Sequence, residues 1–245
     1  MRQTFLSILA TILLAAGVVG PAYAQFQFDA ETGGAASGYN RVRIPGDEGT
    51  LIDLSESLES SLTFFYRLRL SYTTLNEAHT LSVLFAPLTL RYEGTFGQDL
   101  QFQGSVFEAG IPLAARYQFN SYRLTYRYNF PRTQRFQLGV GVTAKIRDAK
   151  VTINGAEKAN VGFVPLVNFR AEWFAKERLS LVLKGDALVA PQGRAEDILL
   201  AAQFYPSERI TLKAGYRILE GGADNDEVYN FSLVHYGVIG TIITF

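Results

Sequence analysis

Side chains alternate between apolar and polar with a period of two residues along most of this chain, and few folds accept that pattern. From Phe136 to Asp148, Leu138, Val140, Val142, Ala144 and Ile146 fall on one side, while Gln137, Gly139, Gly141, Thr143, Lys145 and Arg147 fall on the other. Tyr122, Leu124, Tyr126 and Tyr128 oppose Arg123, Thr125 and Arg127, and Phe64, Tyr66, Leu68 and Leu70 oppose Arg67, Arg69 and Ser71. Ile210, Leu212, Ala214, Tyr216 and Ile218 oppose Thr211, Lys213, Gly215 and Arg217 in the same way. Successive side chains of a strand point to opposite faces, so each segment reads as a strand with one oily and one polar face.

Residues 1–24 read differently. Arg2, an apolar run from Phe5 to Val19 and the small-residue pattern Ala22-Tyr23-Ala24 form a secretory signal peptide. The run is roughly 15 residues, short of the ~20 that cross a bilayer as a helix. No later segment is apolar over that length, so a mature membrane protein of residues 25–245 has to span as strands. The chain has no cysteine, which removes disulfides, thiolate metal sites and cysteine nucleophiles. Basic and acidic residues balance at 23 each, and nothing in the charge points to nucleic acid.

Turn signals divide residues 25–245 into one domain of about ten strands, with eight or twelve left open. The strands fall near 25–36, 58–73, 78–93, 115–130, 135–148, 161–174, 178–190, 195–205, 208–220 and 229–245. Short connections are expected near 74–78, 131–135, 175–178 and 206–208. Longer ones are expected near 38–57, 94–112, 149–160, 190–194 and 220–227. Short turns at one end and long loops at the other describe an all-β, antiparallel up-and-down transmembrane barrel.

The last strand, from Tyr236 to a terminal aromatic Phe245, adds a resemblance. With the leader and the strand pattern, it resembles the small barrels of the Gram-negative outer-membrane β-barrel superfamily. The resemblance implies an exported protein of the outer membrane, surrounded by its lipid and inserted by a barrel assembly machinery that reads Tyr236 and Phe245. Tyr72, Tyr128, Phe130, Phe136, Trp173, Phe174, Phe204, Tyr205 and Phe245 read as one aromatic girdle, and Tyr92, Tyr117 and Tyr229 as part of a second.

Turning the polar faces inward gives the lumen Arg67, Arg69, Arg91, Arg123, Arg127, Lys145, Arg147, Arg170, Lys184, Lys213 and Arg217. Asp29, Glu31, Glu172, Asp186 and Asp197 oppose them, and Glu172, Asp186 and Asp197 are the expected partners. The opposite assignment costs about 2–4 kcal/mol for each Arg or Lys at mid-membrane. A barrel of about eight strands is filled by its own side chains, whereas about 16 leave an aqueous channel. Ten strands imply a mostly filled basic lumen, or a narrow path favouring small anionic solutes.

Catalytic signals are sparse. His79 reads as a turn residue, and His235 is expected to face lipid. Ser232 is three residues from His235 and therefore on the opposite face, so the two are not a hydrolytic pair of the kind lipid A deacylase barrels use. The acidic stretch from Glu220 to Glu227 lacks the EF-hand ligand pattern. Ten-stranded omptin-type proteases use an Asp/His pair at the external rim, where no loop histidine is available here. Asn154-Gly155 and Gly221-Gly222 read as turns rather than phosphate cradles. The sequence therefore implies a barrel without metal or cofactor, with a structural, surface-interaction or narrow-channel role. The alternative is an enzyme acting on lipid A or surface peptides. A soluble lipid-binding barrel is disfavoured by the outward apolar rows.

Overall fold

The computed structural model describes residues 25–191 and 193–245, and the expected leader lies outside them. In chain order the elements are β1 (Gln25–Arg43), β2 (Ile52–Asp53), α1 (Leu54–Ser57), β3 (Glu59–Ser60), β4 (Thr63–Thr73), β5 (His79–Ala86), β6 (Thr89–Thr95), β7 (Leu100–Phe102), β8 (Ser105–Phe107) and β9 (Pro112–Asn129). They continue as β10 (Phe136–Ile153), β11 (Ala156–Lys176), β12 (Leu179–Ala190), β13 (Gly193–Ser207), β14 (Ile210–Asp224) and β15 (Tyr229–Thr244).

Antiparallel pairing runs from β9 through β10 to β15, then to β1, β4 and back to β9 by way of β5 and β6, so the sheet closes. β5 and β6 form one stave of ten, broken at Pro87, which has no N–H to donate to a ladder. Phe119 N donates to Leu88 O at 2.9 Å across the break. Closure pairs every stave on both sides through the middle of the barrel, and every strand keeps its alternation because one face meets the lumen and the other the surroundings.

The connections correct part of the expected pattern. Gln25, Phe245 and the short turns do lie at one end, called here the terminal end. At the opposite, loop end the segments 149–160, 190–194 and 220–227 are mainly paired strand, and β1 runs on to Arg43. Asn154 and Gly155, with φ of +44° and +92°, make the two-residue turn between β10 and β11. Strand pairing satisfies the backbone in lipid and in water alike, so nothing forces a ladder to stop at the membrane surface.

Two long connections remain, and both fold back over the lumen. The segment from Ile44 to Leu62 contains α1, capped by Asp53, whose carboxylate accepts Ser55 N at 3.1 Å. The β7–β8 hairpin is tied to it by Thr50 N donating to Gln101 O at 2.9 Å and Gln103 N donating to Ile44 O at 3.0 Å. Ile44, Ile52, Leu54, Leu58, Leu100 and Phe102 bury themselves against Leu90, Tyr92, Leu113, Tyr117, Val151 and Ile153. An apolar plug thus fills one side of the loop end.

The hydrophobic pattern changes phase where the strands reach this plug. On β5, Leu81, Val83 and Phe85 face outward, yet beyond Pro87 the apolar Leu88, Leu90 and Tyr92 face inward while Arg91 and Glu93 are exposed. β9 and β10 do the same: Tyr122 and Val142 point out, whereas Tyr117, Val151 and Ile153 point in. Arg91 is therefore not a lumen residue. It lies outside beside Arg116, above the oily belt, where exposure carries no lipid penalty. Tyr92 and Tyr117 likewise leave the expected second girdle for the plug. Of the first girdle, Tyr205 turns inward to Glu172, whereas Tyr72, Tyr128, Phe130, Phe136, Trp173, Phe204 and Phe245 are exposed on the outside.

Candidate functional site

The inward charges meet halfway along the barrel. Asp29 and Glu31 on β1, Arg67 on β4, Arg123 on β9, Asp186 on β12, Asp197 on β13, and Lys213 and Arg217 on β14 are all buried. Asp197 receives Arg67 Nη2 at 2.8 Å and also binds Arg217. Arg123 Nη2 lies 2.6 Å from Asp197 without hydrogen-bond alignment, an ion pair rather than a directed bond. Arg123 Nη1 donates to Asp186 at 2.7 Å, where Thr143 and Asn168 also donate at 2.6 and 2.7 Å. Glu31 receives Arg217 at 2.7 Å and Lys213 at 2.6 Å, and Asp29 binds Lys213 and, at 3.1 Å, Lys184.

Four carboxylates (Asp29, Glu31, Asp186, Asp197) thus face five cations (Arg67, Arg123, Lys184, Lys213, Arg217). Buried charges need partners, and here the partners come from strands across the barrel, so the network stitches the lumen shut. The cavity beside it, bounded by Phe65, Arg67, Leu219 and Tyr236, is about 10 Å³, at the limit of a single water.

Nearer the terminal end Arg170 donates to Glu172 at 2.6 Å, as does Ser180, and Tyr205 binds the same carboxylate. Arg127 donates to Asn129 at 2.8 Å, and Arg69 is half-buried on the inward face of β4. Of the acids expected in the lumen, Glu172 pairs with Arg170, Asp186 with Arg123, and Asp197 with Arg67, Arg123 and Arg217. Asp29 and Glu31 lie on a glycine-rich first strand whose alternation is weak, and their weight in the network was visible only as two acids two residues apart. Tyr236 faces the lumen edge-on to Phe65, 4.8 Å between ring centroids, and Phe245 ends the chain exposed.

Above the network, toward the loop end, the lumen opens into a cavity of about 680 Å³ between the plug and strands β10 to β15. Tyr117 and Phe119 form one wall, and the Tyr117 hydroxyl is 3.0 Å from Ser232 Oγ. Lys158 and Arg194 at its rim are neutralised by Glu227 at 3.2 Å and Glu220 at 2.7 Å. Lys145 and Arg147 are not. Lys145 is 2% exposed, has no carboxylate within ion-pair distance among the described residues, and sits 4.7 Å from the centroid of Phe119. Arg147 donates from Nη2 to Asn160, while its buried Nε has no partner.

The wall of this cavity is incomplete on one side. β11 pairs with β12 only as far as Val167 opposite Ala187, although β11 extends to Ala156. Pro165 stands just beyond the last pair, where its missing N–H offers β12 nothing. The cavity is lined both by the inward Val164 and by the outward Phe163 and Pro165, so it passes through the wall between β11 and the β12–β13 hairpin.

Both histidines lie outside the lumen. His79 Nδ1 is 2.8 Å from Tyr126 Oη near the terminal end, and His235 stacks on Tyr216, 6.0 Å between centroids, on the outer face. Ser232 turns inward to Tyr117, away from His235. Glu220 is taken up by Arg194 and Tyr39 rather than facing the other acids of its loop.

No protein-family model matches the chain, and no curated protein matches it in sequence. Solved structures do. The outer membrane protease OmpT from Escherichia coli aligns with a TM-score of 0.55 at 10% identity, over 90% of this chain and 97% of that one. An outer membrane channel from Pseudomonas putida F1 aligns at 0.45 and 10%, over 93% and 97%. Neisserial surface protein A aligns at 0.34 and 14%, over 93% and 100%. The OmpT match supports the architecture and, at that identity, nothing about catalysis. This chain has the fold of the Gram-negative outer-membrane β-barrels.

Proposed function

We propose that the protein is exported by residues 1–24 and resides in the outer membrane as a sealed barrel whose outward vestibule and loop-end surface bind ligands or partners. The loop end then faces the cell exterior, and the terminal end faces the periplasm. Membrane lipid surrounds the outward apolar belt, and an assembly machinery reads the last strand with Tyr236 and Phe245.

The buried network joining Arg67, Arg123 and Arg217 to Asp197 carries this reading. The excess of lumen arginine and lysine invited a narrow anion path, but at the level of the buried network the cations are matched nearly one for one by carboxylates. An ion crossing that level has to break several buried pairs, each held without solvent screening. A rim without histidine gives a hydrolytic role little support.

Planar-bilayer conductance of the refolded mature protein in a salt gradient tests this, after heat-modifiable gel migration has established closure. A folded and silent barrel is expected. Discrete steps with an anion-selective reversal potential overturn it in favour of a channel. Export is tested separately, by the mass of the protein recovered from outer membranes, which should begin at Gln25.

A further inference from the structure

We infer that the vestibule binds a single-chain amphiphile with an anionic head, which enters sideways from the outer leaflet through the gap between β11 and β12; this rests on the vestibule being a binding site above a sealed waist. Three independent observations converge on it.

The first is chemical. Lys145 and Arg147 sit at the inner end of the cavity, one buried without a counter-charge and the other with an unpartnered buried Nε. Burying cations without partners is costly, and the other cations of this cavity's rim have acidic partners. A carboxylate or phosphate head placed here supplies the missing charge and accepts the free donors.

The second is the route. Among outward side chains of β11, Glu157 gives way to Val161, Phe163 and Pro165, and Asp148 on β10 is paired with Val161. The change from polar to oily surroundings therefore falls within the unpaired stretch, and the gap straddles the boundary between headgroups and acyl chains. Val161 and Phe163, 68% and 64% exposed, and Val189, 74% exposed, flank it with apolar surface. An amphiphile has its chain at that depth already, and sideways entry spares the chain from crossing water.

The third is capacity. About 680 Å³ lies within the roughly 300–1,000 Å³ typical of small-molecule sites. Phe119 and Val164 provide apolar wall between the head position and the gap.

The chain has no native cysteine, so Ala195→Cys, at a position that lines the vestibule from β13 and away from Lys145 and Arg147, carries a single bimane fluorophore inside it. The labelled protein in lipid nanodiscs is titrated with 12-bromododecanoate, with 1-bromododecane, and with inorganic phosphate as competitor. Saturable quenching by bromododecanoate alone is expected, weakened at least tenfold by Lys145→Met or Arg147→Met and largely retained in Lys145→Arg. Equal quenching by bromododecane overturns the anionic-head requirement. Displacement by phosphate at comparable affinity overturns the lateral amphiphile in favour of a free anion from outside, leaving the vestibule reading intact. Absence of saturable quenching in the heat-modifiable labelled barrel carrying no other substitution overturns the proposal, whereas failure of the sealed-barrel reading appears separately as conductance.

Discussion

Arg67 on β4 and Asp197 on β13 meet at 2.8 Å, although β14, β15 and β1 separate their strands on the shorter way round the barrel. Asp197 holds three guanidinium groups at once, those of Arg67, Arg123 and Arg217. Stranding one partner of a buried pair costs about 3–5 kcal/mol. Asp197→Asn, which weakens three such contacts, is expected to destabilise the barrel more than Arg67→Met does. Urea unfolding midpoints in lipid vesicles decide this, and an Asp197→Asn midpoint at the wild-type value would remove the network's structural role.

Gly33 lies on β1 opposite Phe65 and Val238 with φ of +145°, and a Cβ added there meets Gly237 O at 2.0 Å. A strained backbone of this kind costs about 1–3 kcal/mol for a residue with a side chain, before the collision is counted. Gly33→Ala should therefore lower the yield of heat-modifiable barrel, while Gly97→Ala, in an open loop where an added Cβ meets nothing within 4 Å and φ is ordinary, serves as the tolerant control.

The rim contact among Tyr39, Arg194 and Glu220 lies above the oily belt and has a pH signature. Burial tends to raise the Glu220 carboxyl, but hydrogen bonds from Arg194 and Tyr39 outweigh it and hold the group below its ordinary value of 4.5. A depressed carboxyl contributes stability above the unfolded value and loses it as pH falls through the folded one. Carbon-13 titration of the Glu220 carboxyl should show a midpoint below 4.5, moving upward in Arg194→Ala. A midpoint unaffected by that substitution would deny the contact.

Hydrogen exchange reads the gap in the wall directly. Amides of β11 that face β12 between Ala156 and Leu166 have no ladder partner, whereas those from Val167 onward do. Peptides covering residues 156–164 should show a fast-exchanging class of roughly half their amides, and peptides covering 167–173 should be protected throughout. Uniform protection across both would close the gap.

Much of this architecture was legible in the sequence because lipid imposes one rule on every strand. Tyr122 to Tyr128 and Leu138 to Ile146 point outward as their alternation requires. Leu88, Leu90 and Tyr92 obey a different rule. They alternate as regularly, but inward, because above the belt water lies outside and the folded loops lie within. Reading every polar residue as inward therefore misplaced Arg91, Tyr92 and Tyr117. The signal was present: polar Arg91 and Glu93 take the odd positions that Leu81, Val83 and Phe85 hold before Pro87. The gap beside β11 was less legible, since a strand's sequence records its own alternation and not where its neighbour stops. Pro165 was its one local mark.

The reversal of pattern near Pro87, Phe119 and Asp148 gives the barrel a waterline written into the chain itself. Sinking by one pair of residues carries Arg91, Arg116 and Lys150 toward lipid, each cation at a cost that rises toward about 2–4 kcal/mol at mid-membrane. Rising by as much wets Val142, Ile146 and Phe163. The molecule is thus moored at one depth, and a bilayer of another thickness has to deform to meet it rather than let it slide. The opening beside Pro165 accordingly stays level with the same layer of lipid, whatever the loops above it are doing.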